Sequence, residues 1–122
     1  MRKCLAISAV LLLILFAVAC DQGEDQVPAA PTNLEATVYP SSPPNVILDW
    51  DEPADGVIAD RYNVYRDTLA DFSTKILVNV HELTATAFMD TTVTAGTTYF
   101  YQVRGVNADG ESIPMTVGPV RP

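Results

Sequence analysis

The chain has 122 residues, with 15 acidic side chains against 7 basic ones and a formal charge of −8. Such a surface repels polyphosphate, so nucleic acid is excluded as a partner. Two cysteines, Cys4 and Cys20, and one histidine, His81, are too few for a Cys-rich tetrahedral zinc site, and no cofactor is expected.

Arg2 and Lys3 precede an apolar run from Leu5 to Ala19 that ends at Cys20. A cationic start followed by a short apolar stretch is the pattern of a secretory signal. As a helix the run is roughly 24 Å long, against a hydrocarbon core of about 30 Å, and no second run of membrane length follows. Ala17-Val18-Ala19 fits the small-residue rule of signal cleavage, with the cut falling before Cys20. The whole pattern resembles a bacterial lipoprotein signal peptide, although Ala17 stands where that motif usually has Leu. The resemblance implies a signal peptide over residues 1–19 and a lipid on the Cys20 sulfur. The chain is then exported and anchored to the cell membrane or the outer membrane. The alternative is an ordinary secreted protein with a free Cys20 thiol. After cleavage five basic residues face fifteen acidic ones, 5 − 15 = −10. Cys4 departs with the signal, so the mature chain has no intrachain disulfide and depends on an apolar core.

Residues 20–30 are polar and acidic and end near Pro28 and Pro31, which predicts a flexible tether. From Pro31 onward short alternating runs are divided by Pro, Gly, Asn and Asp, the texture of an all-β protein. Period-two alternation places Leu34, Ala36 and Val38 on one face of a first strand. Val46, Leu48 and Trp50 point inward on a second, with Ile47 and Asp49 outward. A third runs from Ile58 to Arg66 with Tyr62 and Val64 inward. Lys75 to Val80 is a short strand suited to a sheet edge. Thr84 to Asp90 is a fifth, with Phe88 buried. Thr97 to Asn107 is a sixth, with Tyr99, Tyr101 and Val103 inward. Asp109-Gly110 is a hairpin turn in which both residues tolerate positive φ, and a last strand runs from about Ser112 to Val120. Seven strands in about 90 residues suit a Greek-key sandwich of immunoglobulin type.

The segments Pro31-Thr32-Asn33-Leu34, the Trp50 of LDWDEP, Tyr62-Asn63-Val64-Tyr65-Arg66 and Gly96 through Asn107 followed by Gly110-Glu111-Ser112 together resemble a fibronectin type III domain over residues 31–122. The resemblance implies an all-β, seven-stranded immunoglobulin-like sandwich. Trp50 matches the core tryptophan, and Tyr99 matches the corner tyrosine whose hydroxyl bonds nearby backbone. Gly105 is a departure, since Ala is commoner there.

Three surface features are candidate sites. Arg61, Asn63 and Tyr65 on the third strand and Phe100, Gln102 and Arg104 on the sixth point outward. If those strands are neighbours, as the resemblance implies, Tyr65, Phe100 and Arg104 form an aromatic–arginine patch of the kind that anchors interfaces, or simply pack across the sheet. Asp49, Asp51, Glu52 and Asp55, with Asp60, are weak calcium candidates by their oxygen content. Pro53 and Ala54 break the EF-hand template, and a solvated acidic loop is the simpler reading. The loop Asn107-Ala108-Asp109-Gly110-Glu111 carries no Arg-Gly-Asp tripeptide. His81 has no nucleophile at a suggestive spacing, so no catalytic residue is expected. These features predict a non-catalytic, membrane-anchored interaction module with a protein or glycan partner. The alternatives are a structural spacer or accessory subunit of an envelope complex, and an unlipidated secreted domain.

Overall fold

The computed structural model describes residues 26–122, and among these every regular element is a strand. The expected signal peptide and its cleavage site, Cys20 and the first part of the expected tether lie outside the described residues. The strands are β1 (Thr32–Tyr39), β2 (Asn45–Asp51), β3 (Arg61–Asp67), β4 (Ile76–Leu77), β5 (Ala87–Asp90), β6 (Tyr99–Asn107), β7 (Gly110–Glu111) and β8 (Met115–Val120). One sheet has the order β1-β2-β5; the other runs β4-β3-β6, with β7 and β8 pairing β6 in succession. β7 and β8 are two pieces of one edge strand, so the architecture is the seven-stranded Greek-key sandwich that the alternation predicts.

The core follows the period-two pattern. Val46, Leu48 and Trp50 from β2 meet Tyr62 and Val64 from β3 and Tyr99, Tyr101 and Val103 from β6, all buried. Each fully buried Val or Leu contributes roughly 1.5–3 kcal/mol. Trp50 meets Tyr62 edge-on, with ring centroids 5.2 Å apart. The Thr94 N–H donates to the Tyr99 hydroxyl at 2.8 Å, the bond expected of a corner tyrosine. Phe88 is half-buried rather than buried, packing against the rim of the core.

Several element boundaries differ from those read in the sequence, each for a local reason. The third strand starts at Arg61, and Ile58 is 54% exposed in the preceding loop. Asn33 has φ 53° at the irregularity between Thr32 and Glu35 in the β1–β2 pairing, a backbone conformation that Asn tolerates. The hairpin turn is Ala108–Asp109, and Gly110, not Asp109, takes the positive φ. The last strand is interrupted at Ser112. There the Ser112 hydroxyl oxygen accepts the Gly105 N–H at 2.9 Å in place of a backbone carbonyl.

Residues 26–30, the end of the expected tether, lie against the domain. The Ala29 N–H donates to the Val57 carbonyl at 2.9 Å, and the Asn107 side-chain amide donates to the Gln26 carbonyl. Gly105 is what lets them in. A Cβ there would fall 2.8 Å from the Ala59 Cβ and 3.1 Å from that of Pro28, so the family's commoner Ala does not fit this chain.

Candidate functional site

β3 and β6 pair antiparallel along their length, with Tyr65 opposite Gln102, Asp67 opposite Phe100 and Asn63 opposite Arg104. Alternation therefore puts Tyr65, Phe100 and Arg104 on one outer face, with Phe100 and Arg104 diagonal to Tyr65 on either side. Each is half-buried. The Tyr65 hydroxyl donates to a Glu111 carboxylate oxygen at 2.7 Å, and the Asn63 amide donates to the same oxygen at 3.0 Å. Partial burial, and then the Glu111 carboxylate, push the Tyr65 hydroxyl above its ordinary pKa. Lys75 Nζ lies 5.7 Å from the Tyr65 ring centroid. Arg104 Nε donates to Gln102 Oε1 at 2.9 Å and its Nη1 to the Ser112 carbonyl at 3.2 Å. Phe100 stacks edge-on with Phe72 at 6.5 Å over Gly118, where a Cβ would come within 2.7 Å of the ring. The face is thus a continuous polar and aromatic surface whose hydrogen-bonding groups largely satisfy one another. Gln102, expected outward, is on this face but buried beneath its neighbours.

The acidic candidates are spread over one end of the sandwich. Asp49 and Asp51 are exposed on the outer face of β2, where Asp51 accepts from the Asn33 amide at 2.8 Å, while Glu52 and Asp55 follow in the loop. Among the described residues no three His, Cys, Asp or Glu side chains converge as a metal-holding group. His81 is exposed at the mouth of a groove of about 330 Å³ between β5 and the segment Val78–Leu83.

Three polar residues that the alternation pattern did not single out organise this flank. Asn79 is buried: its Oδ1 accepts the Val64 N–H at 2.8 Å, and its Nδ2 donates to the Tyr62 and His81 carbonyls, each at 3.2 Å. Asp67 closes the loop after β3 by accepting from the Leu69 N–H and from the backbone and hydroxyl of Thr74. Asp90 ends β5, accepting from Arg66 at 2.8 Å, from the Tyr101 hydroxyl at 2.8 Å and from the Thr92 backbone and hydroxyl. Burial pushes the Asp90 carboxyl up, but the bonds from Thr92, Arg66 and Tyr101 outweigh it and hold the pKa below the ordinary value. The Tyr101 hydroxyl is pushed far up by burial and by the Asp90 carboxylate. Arg66 also lies 4.9 Å from the Tyr99 ring centroid. The visible signals are the Asp67-Thr68-Leu69 and Asp90-Thr91-Thr92 steps at strand ends, each an Asx turn.

Two sheets, a corner tyrosine and a tryptophan core define an immunoglobulin-like sandwich module. No family model matches the chain. A Fn3-like protein from Clostridium thermocellum is similar in structure, with a TM-score of 0.60 and 30% identity, covering 74% of this chain and 88% of that one. The chain belongs to the fibronectin type III family. It is also 35% identical over 117 residues to an amylopullulanase of Thermoanaerobacterium saccharolyticum, covering 94% of this chain and 8% of that one. An α-amylase of Niallia circulans is 30% identical over 87 residues, covering 71% of this chain and 6% of that enzyme. The chain thus spans less than a tenth of the length of these curated relatives.

Proposed function

We propose that this chain is a non-catalytic accessory module of the bacterial envelope, exported, lipid-anchored through Cys20, and holding a glycan or protein partner on the outer face of the β3–β6 sheet. The observation that carries the reading is the match of 94% of the chain to a small stretch of an amylopullulanase, and of 71% of it to a small stretch of an α-amylase. A module that recurs as under a tenth of such enzymes is an accessory part of them. The surface offered by Tyr65, Phe100 and Arg104, with Asn63 beside them, supplies an aromatic ring and planar polar groups, the chemistry that packs on sugar rings and bonds their hydroxyls.

Two measurements test the parts of this reading separately. The N-terminal peptide of the membrane fraction is expected to carry a diacylglyceryl mass on Cys20, lost in Cys20→Ser; an unmodified thiol overturns the anchor. Affinity electrophoresis through gels containing soluble amylopectin or pullulan is expected to retard the chain. Tyr65→Ser with Arg104→Ala is expected to restore free migration. Equal migration of both proteins removes the glycan.

The structural-spacer reading is favoured by one observation. The polar groups of Tyr65, Asn63 and Arg104 are already bonded to Glu111, Gln102 and the Ser112 carbonyl, as in a sheet face built for stability. In-cell crosslinking separates the readings: a spacer yields one stable envelope complex that survives Tyr65→Ser.

A further inference from the structure

The two sheet edges on the β4–β5 flank differ in what covers them. β1 lies against β8, so β4 and β5 share the opposite side of the sandwich. On the β3 edge, every exposed backbone position finds a partner in the segment that follows. Val78 N–H donates to the Val64 carbonyl, Asn79 takes the Val64 N–H, and the Leu83 carbonyl takes the Tyr62 N–H. The Lys75–Val80 segment, expected as an edge strand, is the outer strand of its sheet at Ile76–Leu77, and with Asn79 and Leu83 it covers β3.

The β5 edge is open. β5 is the outer strand of its sheet, pairing only β2. The Trp50 N–H donates to the Thr86 carbonyl, and the register sets Asp49 opposite Ala87, Leu48 opposite Phe88, Ile47 opposite Met89 and Val46 opposite Asp90. Hydrogen-bonded and non-hydrogen-bonded pairs alternate in an antiparallel ladder. Phe88 and Asp90 therefore bond β2, and Ala87 and Met89 turn both their N–H and C=O groups outward. Among the described residues no hydrogen bond takes these four groups.

Exposed edges are normally guarded by Lys, Pro, a bulge or inward-pointing charge. Thr84 to Met89 contains no charged residue and no Pro, in a chain of net charge −8. Asp90, the carboxylate that follows, is buried and bonded by Arg66. The flank also exposes several apolar side chains, with Lys75, His81 and Glu82 among them. Val80 is 86% exposed and Met89 50%, and Ile76 and Leu77 of β4 are about half exposed. Apolar surface concentrated on one side of a small domain marks an interaction site.

We propose that a second copy of this chain adds its own β5 to this edge. Antiparallel pairing about a two-fold axis at Phe88 sets Ala87 of each copy opposite Met89 of the other, so that the outward groups exchange four hydrogen bonds. The same register sets Phe88 opposite Phe88 of the second copy, on the core-side face of the strand. That places the incoming ring over the groove of about 330 Å³ lined by Phe88, Leu83 and Val78, and an aromatic cross-strand pair adds to the ladder. No charged side chain stands in the paired segment Ala87–Met89, although Glu82 lines the groove beside it. The strand exchanged is short, so the dimer is a weak one.

The experiment uses the full exported chain, in detergent where it is lipidated, and does not depend on the state of Cys20 or on any glycan. Sedimentation equilibrium is expected to show a monomer passing to a dimer as concentration rises. Amide hydrogen exchange at Ala87 and Met89 is expected to slow in parallel. Met89→Lys, at an exposed side chain, is expected to raise the dissociation constant about tenfold or more with an unchanged melting temperature, and Met89→Ile to retain the dimer. A chain that stays monomeric to about 1 mM overturns the proposal. So does a dimer indifferent to Met89→Lys in which the two amides exchange at the monomer rate. A monomer whose Ala87 and Met89 amides are protected only by an added apolar strand peptide replaces the second copy with a foreign strand.

Discussion

The β3 and β5 edges face the same side of the sandwich, yet one is covered by the segment that follows it and the other is not. Closure at β3 comes from β4, from backbone bonds to Val78 and Leu83, and from one amide side chain between them. Asn79 supplies a carbonyl oxygen and two N–H donors where the two-residue β4 runs out, imitating the backbone of the missing strand. Ser112 does the same for Gly105 where the last strand breaks. β5 has no such residue beside it, and its sole polar anchor, Asp90, is turned inward to Arg66 and Tyr101. A sheet edge in this fold is therefore sealed by individual side chains as much as by strands.

The largest disturbance of this contrast is expected from Asp90→Ala. It strips Arg66 and Tyr101 of their shared acceptor and releases the end of β5 from β3; removing one partner of a buried ion pair costs about 3–5 kcal/mol. Urea unfolding measures it, and a loss under about 1 kcal/mol would show that Arg66 finds water instead. Asn79→Ala opens the sealed edge. The Val64 N–H loses its partner at a buried position, and an orphaned buried donor costs about 1–3 kcal/mol. Faster exchange of the Val64 amide, beyond the global change, is the specific sign.

Acid is the next lever. The Asp90 pKa is lowered in the folded state, so the unfolded chain binds this proton first. The group's contribution to stability is therefore complete above the unfolded carboxylate pKa of about 3.9 and is lost as pH falls through the lower folded value. Asp67, lowered by its bonds from Thr74 and Leu69 against the opposing effect of burial, adds to the same limb. Melting temperature is expected to fall steeply below about pH 4 in the parent. In Asp90→Asn it starts lower and falls less, and parallel curves would remove Asp90 as a cause. The smallest effect is expected at the open edge. Met89→Lys changes monomer stability by about 0.5 kcal/mol or less, as surface substitutions do. A larger loss would mean that the β5 edge is packed rather than free.

Much of this was legible. The alternation of Val46, Leu48 and Trp50, and of Tyr99, Tyr101 and Val103, follows from the period of a strand, which local sequence reports directly. That Tyr65, Phe100 and Arg104 share a face follows from the same period once β3 and β6 are neighbours. Their partners were not legible. Glu111 is 46 residues from Tyr65, and the Phe72 that covers Phe100 sits in a loop at φ 55°. The docking of residues 26–30 against Gly105 was hidden for the same reason: clearance between distant segments leaves no periodic trace.

By itself, the sequence determined an all-β sandwich with no cysteine in its folded domain, an acidic composition, and the inward set of side chains on its long strands, because burial on one face imposes a two-residue period. Tertiary structure decided where the strands stop, which of two edges is closed, and how buried carboxylates are satisfied. Those outcomes rest on single hydrogen bonds between residues such as Asn79 and Val64 or Asp90 and Arg66, which come together only when the two sheets pack.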